Sequence, residues 1–154
     1  MKLRKPRLPP PAKAYQNIPA GLRAFLLNDL ALTLARERKG NPSKYGDEAD
    51  RLFNQLYQRN VHGINLERDG HIDQAIAIYE ANIADMYDGG YPYDRLRIIY
   101  TKRKQYDQAL RVCCQFIKMA DTFLELGCPR TDLPIKRQRF VIWYHKLEAK
   151  IQKT

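Results

Sequence analysis

Ile72-Asp73-Gln74-Ala75-Ile76 and Tyr106-Asp107-Gln108-Ala109-Leu110 are one five-residue pattern written twice, 34 positions apart. In the same register Tyr57 meets Tyr91, Ile64 meets Ile98, and Ile83 meets Ile117. A fixed period of this length is the mark of stacked helical hairpins. The local signals agree with it. Asp69-Gly70 reads as a tight turn, and Ile72, Ala75, Ile76, Tyr79 and Ile83 line one face of the helix that follows. After the loop Tyr87-Asp88-Gly89-Gly90, Pro92 sits where the first turn of a new helix accepts it. Leu96, Ile99 and Tyr100 continue that helix to a turn at Lys104-Gln105. Tyr106, Ala109, Leu110, Cys113, Phe116 and Ile117 then form another stripe, in a helix ending at Gly127 with Pro129 beyond.

Outward from the repeat the chain stays helical. Leu22, Phe25, Leu26, Leu30 and Leu34 make a stripe that predicts a helix over 22–38, stopped by Gly40-Asn41-Pro42. A second helix is expected from Asp47, with Ala49, Leu52, Phe53 and Leu56 inward. Its pattern admits one helix to about Arg68 or a bend near Asn60. A last helix over about 134–152 carries Phe140, Trp143, Tyr144, Leu147 and Ile151 on one side. No stretch reads as a strand, so the expected class is all-α. The proline-rich segment 1–19 reads as a flexible basic arm, because proline removes amide donors and restricts its neighbours. The remaining residues, 20–154, read as one helical domain.

Over residues 56–123 the chain resembles the tetratricopeptide repeat. Gly63 falls where that family has a small residue, Ala75 and Ala109 at its tightest contact, and Tyr79 at its aromatic packing position. Arg97 and Cys113 depart from the pattern in the second unit, and neither unit ends in the usual proline. The resemblance implies a right-handed superhelical array of antiparallel hairpins: repeats at about 56–89 and 90–123, capped by the flanking helices, about six helices in all. It also implies a ligand groove along the first helix of each hairpin. Here that face holds Tyr57, Asn60, Ile64 and Glu67, then Tyr91, Asp94, Ile98 and Thr101. A mixed aromatic and polar surface of this kind suits a peptide or a partner helix. Asn60 and Ile64 stand where the family's carboxylate-clamp members have lysine and asparagine, so chaperone C-terminal peptides are not the expected ligands.

The net charge of +10 is unevenly spread: residues 1–40 carry +7, residues 41–90 carry −5, and residues 91–154 carry +8. A second surface is therefore basic, with Lys102, Arg103, Lys104, Arg111, Lys136, Arg137 and Arg139 among Tyr100, Tyr106 and Trp143. Such a mixture can hold phosphates, which makes a nucleic-acid-binding accessory protein the alternative function. The aromatics sit at helical core spacing, which argues against free stacking faces. His62, His71 and His145 are scattered, and Asp69 and Asp73 fit turn and cap chemistry beside Glu67. No catalytic set, metal site or cofactor loop is expected. Cys113, Cys114 and Cys128 are too few and too oddly spaced for a disulfide framework, and read as thiols in a reducing cytoplasm. No apolar run is long enough to cross a membrane, and the basic arm lacks the apolar region of a secretory signal. The expected protein is a cytoplasmic, non-catalytic interaction module.

Overall fold

Five helices of this chain stop in the same way. The residue after the last helical turn enters the left-handed region, at Arg38, Gly70, Met86, Lys104 and Gly127. Its amide donates back three residues, and the next amide donates back five, as in His71 N to Leu66 O at 2.9 Å and Gln105 N to Tyr100 O at 2.8 Å. This Schellman closure satisfies carbonyls that the helix end would otherwise leave bare. Residues 15–153 are described by the computed structural model. They form α1 (Ala20–Glu37), α2 (Pro42–Arg68), α3 (Ile72–Ala84), α4 (Tyr91–Lys102), α5 (Tyr106–Glu125) and α6 (Asp132–Lys153). No strand occurs among the described residues, so the chain is all-α.

The 34-residue period reappears in backbone geometry. Helices α3 and α5 begin 34 residues apart, and so do the left-handed residues Gly70 (φ 85°) and Lys104 (φ 59°). The amide of Asp69 bonds Asn65 O at 3.0 Å and the amide of Arg103 bonds Ile99 O at 3.1 Å, again one period apart. Glycine adopts this conformation freely, whereas an L side chain pays about 1–2 kcal/mol there. Lys104→Gly is therefore expected to stabilise the protein by roughly 1 kcal/mol, raising the melting temperature by about 2–4 °C. Thermal unfolding followed by circular dichroism checks it; a lowered midpoint contradicts the turn as described.

The helices gather into two units, residues 15–87 and 88–153. In the first, α2 is a single helix of 27 residues without a break at Asn60. It starts at Pro42 rather than near Asp47, because proline is well placed at a first helical position, where no intrahelical amide bond is needed. Its first half packs Ala49 and Leu52 against Leu27, Leu30 and Leu34 of α1. Its second half turns Leu56, Asn60 and Gly63 toward α3. Tyr79 lies across Gly63 so closely that a Cβ there would sit 2.7 Å from the ring. The α1 stripe is Gly21, Ala24, Leu27, Leu30 and Leu34; Leu22, Phe25 and Leu26 are only half-buried. The smaller residues take the tight contact and rotate the helix away from its largest side chains.

Of the arm expected over 1–19, residues 1–14 lie outside the described residues. Tyr15, near its end, is 5% exposed and joins the core of α1 and α2, with Ile18 packed beside it. In the second unit α4 and α6 both rest on α5. Tyr93, Leu96, Phe116, Met119, Phe123 and Leu133 are fully enclosed there. Trp143, Tyr144 and Ile151, expected inward on α6, are half-buried, while Leu133, Phe140 and Leu147 are buried.

Candidate functional site

The first helices of the two hairpins, α2 and α4, carry the residues expected to face a partner. Tyr57 is 56% exposed and Tyr91, its equivalent one period on, is 44% exposed. Ile64 and Ile98 are half-buried. Asn60 is 6% exposed and belongs to the α2–α3 contact, where its Oδ1 has no donor among the described residues. The hydroxyl of Tyr79 donates to Glu67 at 2.9 Å, which fixes that carboxylate against α3. Asp94 accepts two bonds from Arg97, at 2.6 and 3.2 Å, and the hydroxyl of Thr101 donates to the carbonyl of Arg97. The eight residues are thus not one open surface. Each hairpin offers one exposed tyrosine, flanked by half-buried isoleucine and by polar groups that are buried or already engaged.

Within the second unit, α4 and α6 leave a cleft over α5. A cavity of about 260 Å³ is lined by Gly90, Tyr91, Asp94, Lys136, Arg139, Phe140 and Trp143. A second of about 190 Å³ continues past Trp143, along Arg97 and Thr101 of α4 and Lys146, Leu147 and Lys150 of α6. Between them the guanidinium of Arg97 lies 3.6 Å over the ring of Trp143, a cation–π contact that bridges the two helices. Three residues expected in a groove, Tyr91, Asp94 and Thr101, therefore face α6. The sequence reading missed that opposite wall, since α6 lies outside the repeat.

Arg97 stands one period after Gly63 and pairs with Trp143 of α6. Where the first hairpin sets small Gly63 against large Tyr79, the second sets large Arg97 near small Cys113.

The basic residues divide sharply by partner. Arg137 is bonded to Asp121 of α5 at 2.5 Å, and Lys136 to Asp132 at 3.0 Å. Arg111 bonds Gln108 and Gln115 on its own helix. Lys102, Arg103 and Lys104 are exposed around the α4–α5 turn. Arg139 is exposed and has no acidic partner among the described residues. Hydrogen bonds from Arg130 and then Lys136 hold the carboxyl of Asp132 well below the usual carboxylate range. That carboxylate starts α6, where negative charge complements the helix dipole.

The chain was compared with models of known families, with curated proteins and with solved structures. Nothing matches. The described surface carries exposed tyrosines, a cationic cleft and carboxylates held by their neighbours. Among the described residues no three His, Cys, Asp or Glu side chains converge as a metal site. No helix is long and apolar enough to cross a membrane, again among the described residues.

The three cysteines are free thiols. Burial pushes the Cys113 thiol up to about 12, and the nearby Arg97 only partly offsets this. Since the thiolate is the nucleophile, a buried thiol of this kind is inert. Native protein at neutral pH is expected to take up two equivalents of a thiol reagent, at half-buried Cys114 and Cys128, with Cys113 reacting only after unfolding. Mass spectrometry of the labelled peptides reads this directly; early modification of Cys113 contradicts it.

Proposed function

We propose that this chain is a non-catalytic protein–protein interaction module of tetratricopeptide-like kind, working in the cytoplasm. It binds a peptide or a partner helix along the first helices of its two hairpins, α2 and α4. The observation that carries the reading is the pair Tyr57 and Tyr91: the same residue, one period apart, on helices whose closing turns coincide bond for bond, and both exposed. Both rings stand exposed, and rigid amphipathic rings of this kind anchor partners at interfaces. The free thiols suit a reducing compartment.

The test is quantitative capture of native partners by Tyr57→Ala, Tyr91→Ala and the double variant, each first shown to be folded by circular dichroism. An anchoring aromatic contributes about 2 kcal/mol, so each truncation is expected to weaken recovery roughly thirtyfold. A partner that the folded double variant still retains at the wild-type level overturns the reading.

A further inference from the structure

Helix α6 carries an outer face that nothing in the described fold covers. Ile135 and Ile142, 60% and 46% exposed, recur with exposed Ala149 every seven residues. Arg139, Lys146 and Lys153 recur every seven residues beside them. At 3.6 residues per turn the isoleucine row points away from Leu133, Phe140 and Leu147, which hold the helix on α5, and the basic row flanks it, with Arg139 and Lys146 at the rim of the cleft toward α4. The face bears no acid: Glu148, the acidic residue of α6 beyond its first turn, projects from the opposite side. Lys136 and Arg137, on the flank nearer α5, are neutralised by Asp132 and Asp121. By contrast Arg139, Lys146 and Lys153 have no acidic partner among the described residues.

A helix that only needs solubility mixes charges of both signs and does not set isoleucines seven apart in water. Apolar residues at one heptad position with a flanking row of one charge make part of the pattern of a helix–helix seam. From these observations we propose that the outer face of α6 docks an acidic amphipathic helix of a protein partner. The partner's apolar side chains, also seven apart, pack on Ile135, Ile142 and Ala149. Its Asp or Glu row faces Arg139, Lys146 and Lys153. Charge decides against the other occupants. A second copy of this chain would bring a row of like cations to the seam. Residues 1–14 carry Lys2, Arg4, Lys5, Arg7 and Lys13 and no acid, so they offer no carboxylate row to these cations. A nucleic acid would use the cations but not the isoleucines. Trp143, beside this face, already has its ring covered by Arg97. The surface includes neither Tyr57 nor Tyr91, although Arg139 lines the same cavity as Tyr91.

The experiment uses the full chain and a labelled synthetic helix with leucine at heptad spacing and a flanking glutamate row, read by fluorescence anisotropy. The comparison probes are the same composition scrambled, the helix with lysine in place of glutamate, and a DNA duplex of matched charge. The expected order is binding of the acidic helix, at least roughly tenfold tighter than the scrambled peptide, and no binding of the lysine helix. Arg139→Glu with Lys146→Glu should weaken the acidic helix roughly tenfold and admit the lysine helix instead. Ile135→Ser with Ile142→Ser, at exposed positions that do not support the fold, should weaken it by a similar factor. Equal binding of scrambled and heptad peptides overturns the proposal, as does no binding up to about 100 μM. Tighter binding of the duplex, indifferent to the serine changes, also overturns it and makes the face a phosphate surface.

Discussion

Phe116→Ala is expected to cost about 3–5 kcal/mol, the largest effect of any single truncation in residues 88–153. The ring is fully buried on α5 and touches both neighbours of that helix. Tyr93 of α4 meets it edge-on, with centroids 5.2 Å apart. Phe140 of α6 stacks on it at 4.0 Å, and Trp143 meets Phe140 edge-on at 4.9 Å. Arg97 closes the chain back to α4. Deleting the ring therefore leaves a cavity at the one point where three helices converge, and neighbouring side chains held by edge and stacking contacts collapse into it poorly. With a total stability of about 5–15 kcal/mol, the variant retains little margin, and its melting temperature should fall by roughly 10 °C. Trp143 is the sole tryptophan of the chain, so its fluorescence reports this unit directly. A loss below about 1 kcal/mol in urea unfolding would show that the aromatic chain is not the core's keystone.

How much of this was legible beforehand varied with the physics of each feature. The all-helical class and the turn before α3 were, because Gly70 and the repeated Asp-Gln-Ala pattern announce a turn and a tight contact in residue types alone. The closing turns at Arg38 and Met86 were not, since nothing in an arginine or a methionine advertises a positive φ. The phase of α1 was misjudged for a related reason: Ala20–Glu37 is apolar almost all round, so no polar face fixes its rotation, and close approach selects Gly21 and Ala24. Asn60 looked like a surface residue by type, yet the α2–α3 contact encloses it. Arg97 read only as a departure from a small residue, because only the fold brings its guanidinium over Trp143 of α6. The basic surface was overcounted, as the partner of Arg137 is Asp121, sixteen residues away on another helix. What the sequence did carry was the exposed face of α6, a seven-residue rhythm hidden by attention to the buried one.

Gly21→Ala is expected to destabilise residues 15–87 by about 2–3 kcal/mol, against the rule that alanine improves a helix. Gly21 occupies the first turn of α1, where amides have no intrahelical acceptor. Its amide instead donates to the carbonyl of Asp85 at 2.6 Å, at the end of α3. The positive end of one helix dipole thus meets the negative end of another. Asp85 is held in place by Arg59, whose guanidinium reaches its carboxylate at 2.5 Å. A Cβ on residue 21 would lie 2.1 Å from the carbonyl oxygen of Met86 and 2.8 Å from that of Asp85. Both obstacles are backbone, so no rotamer relieves the clash; α1 must move and give up the amide bond. Gly46→Ala is the matched comparison, because the new Cβ would meet Ala31 at 3.6 Å, an ordinary contact. Within α2 that change should stabilise by up to about 1 kcal/mol. The two substitutions are chemically identical and differ only in what the added methyl meets, so urea unfolding of the pair isolates the docking of α1 on the end of α3. Opposite signs are the expected result, and a stabilised Gly21→Ala would remove that docking from the account of the fold.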